Sequence, residues 1–162
     1  MYYFDLRMDI IMKKTLPLLL VMLFLLSLCA GCGRNSIDAY EFTDKAEAAG
    51  YSVFDNAEIV NGNGRIVEYK IAAKDEYKIE FAEVSTLSYA KVLYSGNKSK
   101  VQQLDQPYTV DSSNDTRNYS KYVQTSNDKY SVVSQVDKTV IYVRVDLKYK
   151  DEVDAFIKSI GY

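Results

Sequence analysis

The sequence predicts a single α+β domain in which an antiparallel β-sheet has helices packed on one face. Three observations lead to this prediction. The chain has 162 residues, the size of one ordinary domain. Three segments repeat apolar residues at helical spacing, and several others alternate apolar and polar residues between short polar turns. Such alternation indicates strands with one buried and one wet face, so helices are needed on one side only.

The expected order of elements is helix, strands, helix, β-meander, helix. The helical segments are residues 38–50, residues 85–96 and residues 150–161. Asp38 is a suitable N-cap for the first helix because Glu41 follows three residues later, and Gly50 is a suitable stop. Gly96 ends the second helix in one interpretation. In the other, the apolar residues up to position 104 extend it or form a separate turn.

The strands are predicted from apolar and alternating stretches between these helices. They are residues 51–54, 57–60, 65–73, 76–84, 119–125, 130–136 and 139–146. Lys74-Asp75 and Asp137-Lys138 are predicted hairpin turns. Residues 111–115 are predicted to be a polar loop. Their oxygen-bearing side chains resemble the start of a calcium loop only faintly, because the required glycine is missing, and no metal site is predicted.

The amino-terminal residues have the three-part pattern of a secretory signal peptide. Lys13 and Lys14 precede an apolar run at residues 16–28, which small residues follow. A membrane-spanning helix needs about 20 apolar residues, and this run is shorter. We therefore expect residues 12–31 to be a signal peptide. Residues 1–11 are interpreted as an untranslated or non-native extension, because they carry acidic side chains where a basic region is expected.

The end of this run, residues 28–32, reads Leu-Cys-Ala-Gly-Cys. It resembles the lipobox of bacterial lipoproteins, in which small residues precede a cysteine that receives a diacylglyceryl group before cleavage. The pattern departs from the family at Cys29, where leucine is usual. The resemblance implies lipid attachment at Cys32, a tether at residues 32–37 and one domain at residues 38–162. A disulfide is the alternative for Cys32, but removal of Cys29 with the signal would leave it without a partner.

The whole mature chain resembles small lipoproteins of Gram-positive bacteria that carry a domain of unknown function. This resemblance implies a shared fold and transfers no active site. It also implies a location on the outer face of the bacterial cytoplasmic membrane, reached through the lipid anchor alone.

The composition excludes several kinds of chemistry. The chain has no histidine and two cysteines, which excludes imidazole catalysis, histidine-containing zinc sites and a disulfide framework. The net charge of −2 gives no indication of a nucleic-acid partner. No motif indicates a cofactor. Carboxylates remain the abundant catalytic type, and Glu68 and Glu80 are candidate neighbours on adjacent strands, but no spacing places two acids in one cleft.

Tyrosine is unusually frequent, with 15 residues in the chain. Tyrosine favours strands for packing reasons alone. The alternative is an aromatic surface for an envelope protein or polysaccharide, because tyrosine has a flat apolar ring and a polar tip. The candidate ligand-binding residues are Tyr119, Tyr122, Tyr130 and Tyr142. The function predicted from the sequence is a non-enzymatic binding or interaction module, and the alternative is a cell-envelope hydrolase that uses carboxylates only.

Overall fold

The computed structural model describes residues 34–62 and 64–162. The predicted signal peptide, its start at Met12 and the predicted lipid attachment site Cys32 lie outside the described residues. In chain order the elements are α1 (Ala39–Ala48), β1 (Ser52–Asp55), α2 (Ala57–Gly62), β2 (Ile66–Lys74), β3 (Tyr77–Val84), α3 (Leu87–Leu104), β4 (Tyr108–Asp115), β5 (Tyr119–Ser126), β6 (Lys129–Val136), β7 (Thr139–Asp146) and α4 (Lys150–Ser159). A 3-10 turn, Leu147–Tyr149, joins β7 to α4.

The strands form one antiparallel sheet in the order β1-β2-β3-β7-β6-β5-β4. Helix α3 connects β3 to β4 at the far edge, and the meander β4–β7 then returns, so that β7 pairs with β3. Two hairpin turns contain aspartates with left-handed backbone, Asp75 at φ 51° and Asp137 at φ 48°. Aspartate tolerates this conformation better than most residues. The predicted α+β class, with one antiparallel sheet, is confirmed.

Helices cover the sheet on both faces. On one face, Phe42 of α1 stacks on Phe81 of β3 with ring centroids 4.5 Å apart and meets the edge of Phe156 of α4 at 6.1 Å. On the other face, Ala90 of α3 packs in a cluster that includes Ala82 of β3. Neighbouring strand residues point to opposite faces, so β3 supplies both clusters. We call the side of α1 and α4 the first face and the side of α3 the second face.

The expectation that helices pack on one face only is therefore corrected. That expectation rests on β7, in which Tyr142 and Arg144 alternate with apolar residues, a pattern typical of a strand with one wet face. Both side chains lie half-buried beside α3 instead. The Arg144 guanidinium donates to Asp105, at the end of that helix: Nε lies 3.0 Å from both carboxylate oxygens, and Nη2 lies 2.6 Å from Oδ1. A polar residue can thus face a helix when its charge is paired there.

Two local predictions also differ from the structure, and one open alternative is settled. Residues 57–60 are in helix α2 rather than a strand, because the Asn56 side chain accepts from the Ile59 N–H at 3.3 Å and caps the helix. Residues 111–115 belong to the edge strand β4, where Asp111 and Asp115 accept hydrogen bonds from hydroxyls of β5. Of the two interpretations of the second helix, the longer one is correct, since α3 continues through Gly96 to Leu104 and its buried residues pack on the sheet.

The folded domain begins slightly earlier than predicted. Ile37, which was assigned to the tether, has 6% of its surface exposed and belongs to the core of the first face. Arg34 also contacts the domain, since its Nη1 donates to the Gly161 carbonyl at 3.1 Å. Asp38 caps α1 as predicted, accepting from the Glu41 N–H at 2.8 Å. The chain therefore contacts the domain from Arg34 onward, two positions after Cys32 in the sequence.

Candidate functional site

The four candidate tyrosines do not form one surface. Tyr119 and Tyr130 lie on the first face, whereas Tyr122 and Tyr142 lie on the second face. Tyr122 and Tyr130 are each only 1% exposed. The Tyr130 hydroxyl donates to Asp154, and the Tyr122 hydroxyl donates to Gln124 Oε1 at 2.8 Å. This arrangement favours the packing explanation of these residues over a shared aromatic binding patch.

A different group of side chains surrounds a cavity of about 400 Å³ on the first face. The cavity is bounded by β4, β5, β6, α4 and the chain that enters the domain at Arg34. Four cationic and two acidic side chains line it, so positive charge is in excess. They are Arg34, Lys121, Lys150, Lys158, Asp111 and Asp154. We call this feature the basic cavity.

Strand and helix periodicity together place these charges. Lys121 lies between Tyr119 and Val123 on β5, and alternation puts all three on the first face. On α4, Lys150, Asp154 and Lys158 are spaced four residues apart. Residues at this spacing form one row along a helix, so these three side chains face the cavity together.

Arg34 closes one end of the basic cavity. Its guanidinium carbon lies 4.1 Å from the centre of the Tyr119 ring, a cation–π contact. Its hydrogen bond to the Gly161 carbonyl holds it near the carboxyl-terminal end of α4. Through these two contacts Arg34, which was assigned to the tether, becomes part of the cavity wall.

Most of the remaining polar groups in the cavity have protein partners. Lys121 Nζ donates to the main-chain oxygen of Tyr162 at 3.3 Å. Lys150 Nζ lies 3.5 Å from Asp111 Oδ2, and Asp154 accepts from the Tyr130 hydroxyl. Burial lowers the pKa of Lys121 below its usual value; Asp154 opposes this shift, while Arg34 and Lys158 add to it. A half-buried lysine beside two further cations indicates a positive electrostatic potential inside the cavity.

Sequence reasoning missed this site. One signal was available, since Lys121 occupies an inward position of a strand whose next inward residues are Tyr119 and Val123. A lysine among core positions is unusual and marks either an ion pair or a functional group. The rest of the cavity could not be predicted, because Asp111 was assigned to a loop and the position of α4 over the sheet was unknown.

The glutamates that were candidates for catalysis bind other protein groups instead of each other. The register of β2 and β3 places Glu68 opposite Glu83 and Glu80 opposite Ile71, so Glu68 and Glu80 are not cross-strand partners. Glu68 lies 3.1 Å from Lys70 Nζ. Glu83 accepts from the Ala39 N–H at 3.2 Å, and Glu80 accepts from the Tyr69 hydroxyl. Within residues 34–62 and 64–162, no three potential metal-ligating side chains are grouped closely enough to hold a metal ion.

No protein-family model, curated protein or solved structure matches this chain. Among the helices of the described residues, none is both long enough and apolar enough to cross a membrane.

Proposed function

We propose that this protein is an extracytoplasmic lipoprotein held on the outer face of a bacterial cytoplasmic membrane by a diacylglyceryl group on Cys32. The observation that carries this proposal is the lipobox-like segment at residues 28–32, directly after a basic and then apolar stretch. Two acyl chains suffice for stable anchoring, at about 0.8 kcal/mol per buried methylene, so no spanning helix is needed.

The beginning of the fold supports close attachment to the membrane. Ile37 is buried and lies five positions after Cys32 in the sequence. Fully extended, this length of chain covers about 17 Å. The anchored domain would therefore stay next to the lipid headgroups rather than at the end of a long stalk.

We further propose that the domain is a non-enzymatic binding module and that the basic cavity is its binding site. The cavity is open to solvent, has excess positive charge and is lined by Tyr119 as well as by cations. These features suit recognition of an anionic group on an envelope component. The hydrolase alternative has less support, because the two glutamates that face each other, Glu68 and Glu83, each bind another group.

Replacement of each cysteine in turn tests the anchor. In a bacterial host supplied with a clickable palmitate analogue, the natural protein and Cys29→Ala should both be labelled, shortened and retained in the membrane fraction. Cys32→Ala should carry no label and should be either released or kept as the full-length precursor. Normal labelling and maturation of Cys32→Ala would contradict the proposal, and Cys29→Ala controls for loss of a thiol in the same segment.

A further inference from the structure

We infer that the basic cavity binds the phosphodiester headgroup of an anionic membrane lipid and so fixes the orientation of the domain on the membrane. The inference rests on the proposed function, since it takes the membrane as the surface beside which the cavity lies. It names the ligand of the binding site and adds a second attachment besides the lipid on Cys32.

The position of Arg34 supports a ligand in the membrane. Arg34 lies two positions after Cys32, a distance of about 7 Å along an extended chain. A diacylglyceryl group on Cys32 would begin at the level of the headgroups. The wall of the cavity that Arg34 forms would therefore lie within reach of neighbouring lipid headgroups, whereas most of the domain surface would not.

The side chains of the cavity suit a phosphodiester. Arginine and lysine are the usual phosphate-binding residues, because charge-assisted hydrogen bonds to phosphate oxygens are short and strong. A guanidinium has five N–H groups and an ammonium has three, so Arg34 and Lys121 retain donors beyond those given to Gly161 and Tyr162. Lys158 is exposed on the same wall and adds a third cation.

The acidic side chains leave this part of the cavity positive. Asp111 accepts from the Thr125 hydroxyl at 2.6 Å and lies near Lys150. Asp154 accepts from the Tyr130 hydroxyl. Arg34, Lys121 and Lys158 therefore outnumber the acid nearest to them, and one phosphodiester charge would balance much of the excess. A cavity of about 400 Å³ is large enough for a glycerophosphate-sized group.

Water-soluble headgroups test the chemistry without depending on the anchor. The full-length protein, purified in an uncharged maltoside detergent, is titrated calorimetrically with glycerophosphoglycerol, glycerophosphocholine and inorganic phosphate. Glycerophosphoglycerol should bind, and glycerophosphocholine should bind about tenfold more weakly, because its choline cation meets the lysines. Absence of glycerophosphoglycerol binding would overturn the inference even if Cys32 is shown to be lipidated.

Matched variants locate the site. Lys158→Gln and Lys121→Met should each weaken glycerophosphoglycerol binding about tenfold, as expected for loss of one charge-assisted contact. Lys91→Gln, an exposed position on α3 at the second face, changes the net charge equally and should leave the affinity unchanged. Equal weakening by Lys91→Gln would mean non-specific attraction and would overturn the site. Because Lys158 is exposed, its variant remains informative if Lys121→Met does not fold.

Vesicles distinguish a membrane lipid from a free phosphate ester. The lipidated protein is reconstituted into vesicles of phosphatidylcholine alone or with one-third phosphatidylglycerol, and its lysines are acetylated and quantified by mass spectrometry. Phosphatidylglycerol should protect Lys121 and Lys158 while Lys91 reacts equally in both. If soluble glycerophosphoglycerol protects the two lysines but phosphatidylglycerol vesicles do not, the ligand is a free ester and the lipid assignment is overturned.

Discussion

At the scale of single residues, one ion pair fastens the end of α3 to the sheet. Asp105 is 6% exposed and accepts hydrogen bonds from Nε and Nη2 of Arg144, and its Oδ2 also accepts from the Ser131 hydroxyl at 3.4 Å. The hydrogen bond that Arg144 donates to Asp105 is the main reason why the pKa of Arg144 is raised. Neither side chain could be replaced alone without leaving a charge in a mostly buried place.

Asp105→Asn should lower the free energy of unfolding by about 2 kcal/mol or more, because Arg144 would lose its counter-charge in a partly desolvated position. Urea unfolding followed by circular dichroism measures the change. The control is Glu76→Gln, which breaks the exposed pair with Lys148 at 3.0 Å and should leave the urea midpoint unchanged. Similar midpoints for the two variants would show that the buried Asp105 pair contributes no more to the free energy of unfolding than an exposed pair.

At the scale of elements, one glycine follows the end of a helix and another lies in the interior of a helix. Gly50 follows α1 with φ at +84°, in the left-handed region that side chains disfavour. Gly96 lies within α3, and a Cβ built there would meet no atom within 4 Å. The sequence predicts a helix stop at Gly50 and leaves Gly96 as either a stop or an interior position of a longer helix. Only the structure distinguishes them, since α3 continues because Tyr94 and Val101 are buried against the second face.

Alanine at these positions should shift stability in opposite directions. Gly50→Ala should destabilise the protein by about 1–2 kcal/mol, because a Cβ is strained in left-handed backbone. Gly96→Ala should stabilise it by about 0.5–1 kcal/mol, because glycine is the poorer helix former and the site has room. Thermal unfolding followed by far-UV circular dichroism gives both values. Destabilisation by Gly96→Ala would mean that the helix is bent or packed differently there.

At the scale of the whole molecule, the sheet is most deeply buried where β6 and β7 pair. Nearly all residues of β6 are buried, because α4 and α1 cover the first face and α3 covers the second. Strand β4 is different, since seven of its eight residues are exposed and β5 is its one partner among the described strands. Burial therefore falls from the centre of the sheet towards this edge.

Amide hydrogen exchange should follow this gradient of burial. Amides of β6 and β7 should exchange only through global unfolding, whereas those of β4 should exchange earlier by local opening. Mass spectrometry of exchanged peptides separates these segments. Equal protection of β4 and β7 would indicate that another surface covers the edge strand. Addition of glycerophosphoglycerol should slow amide exchange in β5 but not in β2, because β2 lies outside the basic cavity.

Local patterns predicted much of this molecule because their causes are local. The cap at Asp38 and the turn at residues 137–138, which joins β6 to β7, depend on contacts within a few residues. The same patterns failed at residues 57–60, where the capping side chain of Asn56 outweighed strand propensity, and at residues 111–115, where pairing with β5 made a strand from polar residues.

The sequence by itself determined the class of the fold, most of its helices and strands, and the exclusion of imidazole chemistry. The tertiary structure decided that both faces of the sheet are covered, that the four tyrosines separate, and that Lys121 meets Arg34 and Lys158 around one cavity. The reason is physical. Periodicity reports which side of an element is apolar, but contacts between residues far apart in the chain depend on strand order and on where each helix packs.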